Sequence, residues 1–493
     1  MLTGVYVAGV HVPLDRESKA PLWRQLASWL GAHIEAGGLP DGARLPSTRA
    51  LAAELGVSRI TVATAYAALE ADGLLVPREG SGTFVAARDR GGGGDREMEP
   101  EWPRWQRELR PAPSSRSGRA TPRPAHPDMI SFTGVGDPQA FAMGDFSATV
   151  REVLRQLGTS ALAYGSFDRG HEPLRVTVAR ILASQGIRTS AEHVLITSGS
   201  QQGLSLVCQL LLSRGDAVIV ELPTYDYALE LFAELGLRVV GVPIDDEGMR
   251  VELVEAVLEH DRARLIYTIP TFQNPSGTSM SGARRRTLLE LAEGFGVPIV
   301  EDDFAGDLRY EGRTQPAIKA LDRSGTVIYI GTFSKLLQPG LRVGYAVANG
   351  PVLDRLAQIK RTHDLTTSPL MQLVVDRFVT LGRYQAHLRR TTRLYRQRRD
   401  AMLAALAERL PEATVSPVHG GLFAWVQLAE GVSTRRLLAA ALERGVEYAP
   451  GDRYFADPVD GDRYLRLNFA THPPADIDRG VARLAEAVRQ YIP

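Results

Sequence analysis

Cysteine is almost absent from this sequence, since Cys208 is the only one among 493 residues. A single cysteine excludes an internal disulfide bond and a metal site built from several thiolates. No apolar run approaches the ~20 residues that are needed to cross a bilayer. The N-terminus also lacks the basic and apolar segments of a secretion signal. We therefore expect a soluble, cytoplasmic protein with no membrane partner.

Lysine is also scarce: only Lys19, Lys319, Lys335 and Lys360 occur among the 57 lysine and arginine residues. Any reaction that needs a side-chain amine therefore has four candidates. The 57 basic residues are balanced by 57 acidic ones, so a strongly basic surface is not expected. The hydrophobic share of 44% is enough for a packed core, and the length predicts roughly two to four domains.

Residues 87–128 differ in composition from the rest of the chain. They contain four consecutive glycines, at 91–94, and seven prolines between 100 and 127. Such a stretch cannot bury enough apolar surface to order itself, and it is typical of a linker. Trp102 and Trp105 are the exceptions within it. The linker separates an N-terminal unit, 11–86, from a C-terminal unit, 129–493.

The N-terminal unit has the pattern of a winged helix-turn-helix. Residues 21–34 carry apolar side chains at helical spacing, and two serines are placed to cap two further helices around a Gly-Val turn. Residues 74–85 predict two strands around a Gly-Ser-Gly tip. The residues expected to face DNA are Arg44, Ser47, Thr48, Arg49, Ser58, Arg59, Thr61, Arg78 and Gly80. Residues 1–85 carry a net charge of only −1, so a small docking domain remains an alternative.

Two motifs in this unit point to a known family. The sequence LPSTRALAAELGVSR, followed by TV and later by GSGTFV, resembles the winged helix-turn-helix of GntR-family regulators. The resemblance covers nearly the whole unit. It implies that operator DNA is a partner of this protein.

The C-terminal unit alternates strand-like and helical segments. The strand-like runs are 194–197, 217–220, 238–242, 265–268, 297–300 and 326–330. This alternation predicts an α/β fold with a mostly parallel sheet. Ligands bind at the carboxyl ends of the strands in such sheets, so the residues after each run are the ones expected to carry chemistry.

The residues after these runs make up a distinctive set. Lys335 follows the last run, the acids 301–303 follow the run before it, and Tyr225 follows the second. The small residues 198–200 begin a helix whose free N–H groups suit a phosphate. Each feature alone is equally consistent with capping or packing. Together they provide the amine, acid, aromatic face and anion cup that pyridoxal 5′-phosphate requires.

Residues 130–490 resemble fold-type I, aminotransferase-like enzymes that use pyridoxal 5′-phosphate. The resemblance implies that Lys335 forms the Schiff base and that Asp302 faces the pyridine nitrogen. It also implies that Asn274 bonds the ring O3′ and that Tyr225 stacks on the ring. The implied phosphate ligands are Ser200, Gln201, Thr332, Arg342 and, across a dimer, Tyr164. Arg466 would clamp the carboxylate of an effector.

The order of the two units is similar to the MocR branch of GntR regulators, as are the motifs GTFSKLLQPGLRVGY and EDDFAGDLRY. This resemblance implies a head-to-tail, domain-swapped homodimer that senses an amine, amino-acid-like compound or vitamer through an aldimine at Lys335. Phe304 departs from the pattern, because many members have a tyrosine there that serves O3′. Two alternatives stay open: an active aminotransferase with an N-terminal tethering or dimerisation domain, and a scaffold without a cofactor.

Overall fold

The computed structural model describes residues 5–7, 10–12, 14–15, 18, 20–35, 39–40, 42–78, 82–86, 126, 128–134, 136–165 and 169–491. The chain forms two compact units, Met1–Arg110 and Pro111–Pro493. The predicted boundaries at 11–86, 87–128 and 129–493 stay a prediction. Trp102 and Trp105 lie outside the described residues. Asp128, at the end of the predicted linker, accepts a hydrogen bond of 2.7 Å from Arg483 of the C-terminal unit.

The N-terminal unit consists of a short hairpin, three helices and a second hairpin. Its elements are β1 (Val5–Val7), β2 (Val10–Val12), α1 (Leu22–Glu35), α2 (Thr48–Leu55), α3 (Arg59–Ala71), β3 (Leu75–Arg78) and β4 (Gly82–Val85). The first hairpin was not predicted. The three helices and the antiparallel β3–β4 wing lie where the sequence pattern predicts them.

Local capping explains where the helices of the turn begin and end. Ser47 accepts a hydrogen bond from the Ala50 N–H at the start of α2, and Ser58 accepts one from the Thr61 N–H at the start of α3. Gly56 ends α2 with a φ of 62°, a left-handed conformation that glycine adopts without strain. Three small residues therefore set both ends of α2 and the start of α3. The helices pack around a core that includes Leu26, Leu30, Leu51, Val62, Ala65 and Leu69.

The C-terminal unit contains one large sheet, one smaller sheet and helices that cover both. Its helices are α4 (Met143–Leu157), α5 (Glu172–Ser184), α6 (Ser200–Leu211), α7 (Asp226–Glu234), α8 (Val254–Asp261), α9 (Gly282–Phe295), α10 (Ile318–Leu321), α11 (Pro351–Asp364), α12 (Pro369–Thr380), α13 (Arg383–Arg409), α14 (Thr434–Glu443) and α15 (Pro474–Tyr491). None of the helices described in either unit is both long enough and apolar enough to cross a membrane.

The large sheet is the mostly parallel sheet that the alternation predicts. Its strands are β6 (Val194–Thr197), β7 (Ala217–Leu222), β8 (Arg238–Asp245), β9 (Gly248–Met249), β10 (Leu265–Thr268), β11 (Ile299–Asp303), β12 (Val327–Thr332) and β13 (Gly344–Val347). Their order is β6-β13-β12-β11-β10-β7-β8-β9. The pairs from β8 to β12 are parallel, whereas β13 is antiparallel to both of its neighbours.

Two strands extend further than the sequence analysis predicted. The acids 301–303 and Thr332 were expected to follow their strands, but they are the last residues of β11 and β12. The reason is that pairing continues to the strand ends, where Asp302 lies opposite Ile330 and Asp303 opposite Gly331. Because side chains alternate along a strand, Asp302 and Asp303 point to opposite faces of the sheet.

The smaller sheet places one arginine near the large sheet. Its strands are β14 (Thr414–Val415), β15 (Phe423–Gln427), β17 (Ala449–Pro450) and β18 (Tyr464–Asn468), in the antiparallel order β14-β15-β18-β17. The pair β5 (Ile130–Ser131) and β16 (Val446–Glu447) lies apart as a short parallel ladder. Arg466 lies in the middle of β18, between Trp425 of β15 and Ala449 of β17. A central strand holds the backbone of this arginine rigidly.

Candidate functional site

Asp302 is a buried acid with one unsatisfied oxygen. Its Oδ2 accepts a hydrogen bond of 2.8 Å from the Tyr267 hydroxyl, whereas its Oδ1 is buried and has no partner. Burial is the main cause that raises the pKa of this carboxyl to about 7, and the hydrogen bond from Tyr267 and the charge of Lys335 oppose the rise. A buried carboxylate oxygen without a donor is costly, so this group is suited to a protonated ligand atom.

Lys335 lies in the turn after β12 and carries the amine of the site. Burial is the main cause that lowers its pKa to about 8, and the positive charges of Arg466 and Arg342 lower it further. The carboxylates of Asp226 and Asp302 act in the opposite direction. These four charged groups therefore surround the amine, and near neutral pH it holds its proton less tightly than an exposed lysine does.

Arg466 and Asn274 are joined directly. Arg466 Nη1 donates a hydrogen bond of 2.8 Å to Asn274 Oδ1, although the two residues are 192 positions apart. The guanidinium carbon lies 4.0 Å from the ring centre of Phe423 and 5.0 Å from that of Tyr454. The Nε of Arg466 is buried and has no partner. The site therefore presents a donor that a carboxylate or similar anion can use.

The predicted phosphate ligands gather at the start of α6. Ser200 and Gln201 are its first two residues, and Arg342 donates a hydrogen bond of 2.8 Å to the carbonyl of Ser198 just before it. A Cβ added at Gly199 would lie 2.5 Å from Arg342 Nη2, so only glycine leaves this approach open. Gln201 Oε1 is buried without a partner. A helix N-terminus beside an arginine is a cradle for an anion.

Three further predicted ligands are Thr332, Tyr225 and Tyr164. Thr332, at the end of β12, accepts a hydrogen bond of 3.1 Å from the N–H of Ser334. Tyr225 precedes α7, and burial raises the pKa of its hydroxyl, with a further contribution from the charges of Asp226 and Asp302. Tyr164 is 64% exposed, and its role in a partner subunit stays a prediction.

The sequence analysis did not identify Tyr267 or the surroundings of Phe304. Tyr267 lies near the carboxyl end of β10, and Asp302 lies on the neighbouring strand β11. The sequence does not show which strands are neighbours, so this contact could not be predicted. Phe304 is buried and stacks on Phe423, with ring centres 6.1 Å apart. It supplies no hydroxyl, so Asn274 remains the predicted partner of a ring oxygen.

In the N-terminal unit, the predicted DNA-facing residues that the structure describes lie at the starts of α2 and α3 and beside the wing. Arg49 and Arg59 are exposed in the first turns of α2 and α3. Arg44 forms an isolated bridge with Phe84 of the wing. Thr48 begins α2, Ser47 and Ser58 act as caps, and Thr61 bonds the Ser58 hydroxyl at 2.8 Å. The side chain of Arg78 and the whole of Gly80 lie outside the described residues.

One exposed apolar side chain in this unit was missed by the sequence analysis. Ile60 is the second residue of α3, and 76% of its surface is accessible. Because Ile60 lies between Arg59 and Thr61, two predicted DNA-facing residues, its position in the sequence could have identified it as a further one.

The residues of the C-terminal site fit pyridoxal 5′-phosphate. An unsatisfied buried carboxylate oxygen at Asp302 suits a protonated ring nitrogen, and the glycine-lined helix start beside Arg342 suits a phosphate. The weakly basic amine of Lys335 suits attack on an aldehyde carbon. The described residues contain no cluster of histidine, cysteine and acidic side chains that could hold a metal ion.

Comparison with known proteins matches the two units to two different families. Residues 22–85 match the model of the bacterial regulatory proteins of the gntR family. Residues 134–484 match the model of the aminotransferases of class I and II. A full-length relative is the "probable rhizopine catabolism regulatory protein MocR" of Rhizobium meliloti, which is 32% identical over 96% of this chain and 95% of its own length.

Other similar proteins match the C-terminal part of the chain. The "aromatic-amino-acid aminotransferase 1" of Thermococcus litoralis is 39% identical over 74% of this chain and 88% of its own length. The crystal structure of LysN, the α-aminoadipate aminotransferase of Thermus thermophilus, is 36% identical, covers 74% of this chain and 93% of its own, and has a TM-score of 0.70. LysN was crystallised with N-(5′-phosphopyridoxyl)-L-leucine.

We expect Asp302→Asn to stabilise the coenzyme-free protein. The folded-state pKa of Asp302 is raised to about 7, so its contribution to stability is lost as pH rises from the unfolded value of about 4 through 7. Asparagine carries no charge, so the melting temperature of the variant should exceed that of the wild type more at pH 8 than at pH 4. The exposed Glu259→Gln is the control. A stability difference independent of pH would contradict this account.

We expect Lys335 in the coenzyme-free protein to react with an amine-specific reagent with a pH midpoint near 8. The reason is that only the neutral amine is nucleophilic and that its pKa is lowered to about 8. Arg466→Met should move the midpoint upward because it removes one of the two positive charges near the amine. Peptide mass spectrometry across pH 6–11 measures the rate at this residue. A midpoint near that of free lysine, about 10.4, would contradict the prediction.

Proposed function

Because this chain belongs to the MocR-like branch of the GntR family, in which a helix-turn-helix unit precedes an aminotransferase class I and II domain, we propose that it is a transcription regulator that senses an amine or amino-acid-like effector. The observation that supports this proposal is that Lys335, Asp302 and Arg466 share one charged cluster in a chain that also has the three helices and the two wing strands of a winged helix-turn-helix. A transaminase needs the first feature and has no use for the second.

The residues of the cluster divide the work of binding an effector. Pyridoxal 5′-phosphate, when bound, supplies an aldehyde carbon that combines with amines and a ring that withdraws electrons from them. Asp302 would hold the ring nitrogen, while Ser200, Gln201, Thr332 and Arg342 would hold the phosphate. Lys335 would yield its place to the effector amine, and Arg466 would bind the effector's carboxylate. Tyr225 and Asn274 would fix the ring between them.

Signalling requires that the effector bind two conformations with different affinity. An effector that binds one conformation more tightly shifts the population toward it, and DNA affinity changes by the same coupling free energy. An effector that contacts both the amine of Lys335 and the guanidinium of Arg466 is suited to favour one conformation. The reason is that this single ligand connects the turn after β12 to β18. The corresponding class of effector is a primary amine with an anionic group.

We also propose a head-to-tail homodimer with exchanged winged units. The supporting observation is a stretch of partly exposed apolar side chains on the C-terminal unit, formed by Leu154, Leu157, Leu162 and Tyr164. Several exposed apolar side chains within a short stretch of chain are consistent with an interface. The predicted linker, about 40 residues long, would span very roughly 35 Å if flexible, enough to reach a neighbouring subunit.

Residual transamination is the second candidate function. The pairing of Asn274 with Arg466 and the 39% identity to an aromatic-amino-acid aminotransferase favour it. Steady turnover of an amino acid with a 2-oxo acid, together with no protection of upstream DNA, would replace the regulator proposal with this one. Both activities in the same preparation would show a regulator that keeps some chemistry.

We expect Lys335→Ala to keep DNA binding and to lose the response to the effector. The experiment measures the anisotropy of a labelled duplex from the region upstream of the gene, with and without a panel of amines and amino acids. The wild type should change its affinity about tenfold or more with the effector, a coupling of about 1.4 kcal/mol. Arg466→Met should lose the response only to effectors that carry an anionic group. A Lys335→Ala variant that still responds would contradict the proposal.

Two arginines of the winged unit should have different effects on DNA binding. Arg49→Ala removes a predicted phosphate contact, so it should weaken binding to all sequences and lower the salt slope by about 1. Arg59→Ala removes a predicted base contact, and Ile60→Ala removes an exposed apolar side chain that we propose contacts a thymine methyl. Each should cost about 1–3 kcal/mol of discrimination. Titrations from 50 to 300 mM salt with specific and random duplexes measure both. The exposed Arg286→Ala is the control.

A further inference from the structure

A buried carboxylate behind the site connects two loops. Glu221 is the fifth residue of β7 and is 1% exposed. It accepts hydrogen bonds from Thr268 Oγ1 at 2.7 Å, the Ile269 N–H at 3.0 Å and Gln273 Nε2 at 3.3 Å. Burial raises its pKa, and these hydrogen bonds lower it. Oε1 of Glu221 is thus bonded to the end of β10, and Oε2 is bonded to the segment after it.

Gln273 extends this network to a second loop. Its Nε2 also donates a hydrogen bond of 2.7 Å to the carbonyl of Pro223, two residues before Tyr225. Its Oε1 accepts hydrogen bonds from the Ser276 N–H at 2.9 Å and from the Ser276 hydroxyl at 2.7 Å. Gln273 is 2% exposed, so water does not compete for these bonds. One amide therefore ties the loop before Tyr225 to the loop that contains Asn274.

We propose that Glu221 and Gln273 are positioning residues that set Asn274 and Tyr225 against the coenzyme ring. The inference rests on the proposed function, which assigns the ring oxygen to Asn274 and the ring face to Tyr225. Arg466 occupies Asn274 Oδ1, so the Nδ2 donor is the part of this amide left for a ring oxygen. Phe304 supplies no hydroxyl there. The position and orientation of the Asn274 amide therefore decide how well the ring oxygen is held.

Packing alone does not explain a carboxylate at this place. A fully buried acid is costly, and an apolar residue of similar size would fill the same space at lower cost. What an apolar residue cannot do is orient three donors at once. Glu221 also points to the face of the sheet opposite Asp302, because Val220 pairs with Tyr267, Tyr267 pairs with Val300, and side chains alternate. The network thus lies behind the loops, on the face of the sheet opposite Asp302.

The test compares Glu221→Gln and Gln273→Ala with the wild-type chain, purified full length and loaded with pyridoxal 5′-phosphate. We expect the coenzyme's dissociation constant to rise about tenfold in each variant, since about 1.4 kcal/mol of orientation is lost. We also expect the pH midpoint of the bound coenzyme's visible absorbance to move by about half a unit or more, because the hydrogen bond to the ring oxygen is weakened.

The control is Glu301→Gln, another buried acid at a strand end. Glu301 accepts hydrogen bonds from the backbone of Ile318 and Lys319 and is not bonded to either loop. Because the amide nitrogen of glutamine cannot accept a hydrogen bond as the second carboxylate oxygen does, one of these two N–H groups loses its partner, so the variant should lower the melting temperature. It should leave the absorbance midpoint unchanged. If Gln273→Ala does not fold, Gln273→Met replaces it, because methionine keeps the length of the side chain, removes the amide donor to Pro223 and Glu221, and places no charge beside the Glu221 carboxylate.

The outcomes separate this inference from the function on which it rests. Variants that bind the coenzyme with wild-type affinity and midpoint would overturn the positioning role and leave the regulator proposal intact. Variants that only lose thermal stability, as the control does, would also overturn it. A wild-type chain that takes up no coenzyme would overturn the proposed function itself and, with it, the inference.

Discussion

The electrostatics of the C-terminal unit depend on one buried carboxylate, that of Asp302. It lies at the end of a central strand, holds a single hydrogen bond from Tyr267, and leaves its second oxygen without a partner. Such an arrangement weakens the fold unless a cation or a protonated ring completes it. The two arginines near Lys335 lower the pKa of its amine. Together with Asp302, they make the site suited to an electron-poor, anionic ligand.

The sheet explains how so few residues build this site. Six strands, β6, β7, β8, β10, β11 and β12, run in the same direction and bring their carboxyl ends to one edge, and the residues that end or follow them carry the acid, the amine and the loops. The antiparallel strand β13 brings Gly344 against Gly199, where an added Cβ would lie within 3 Å of backbone atoms. The anion cradle is therefore formed by close backbone approach as much as by side chains.

A regulator and a transaminase share the demand for a well-held coenzyme, and they differ in how they use the bound ligand. The Asn274–Arg466 pair and the Glu221–Gln273 network retain the rigidity of an enzyme site. The winged unit adds an output that an enzyme does not need. Phe304 has no hydroxyl, so in the proposed arrangement Asn274 would carry more of the control of the ring oxygen.

Much of the architecture was predictable because its causes are local. Serine caps, a left-handed glycine and an apolar helical period lie within a few residues of each other, so the turn, the wing and the alternating strands could be inferred from the sequence alone. The candidate amine was predictable for a different reason: only four lysines exist. The strand ends were predicted too short, because pairing with a neighbour, which extends β11 to Asp303, is not a local property.

The sequence by itself therefore determined the order of the two units and the types of residue that come after each strand, since both are properties of neighbours along the chain. Only the tertiary structure decided that Asp302 and Asp303 face different surroundings and that Arg466 meets Asn274. It also decided that Gln273 joins two loops. The physical reason is that strand alternation and hydrogen bonds between distant segments depend on which strands lie side by side, and no local pattern encodes that choice.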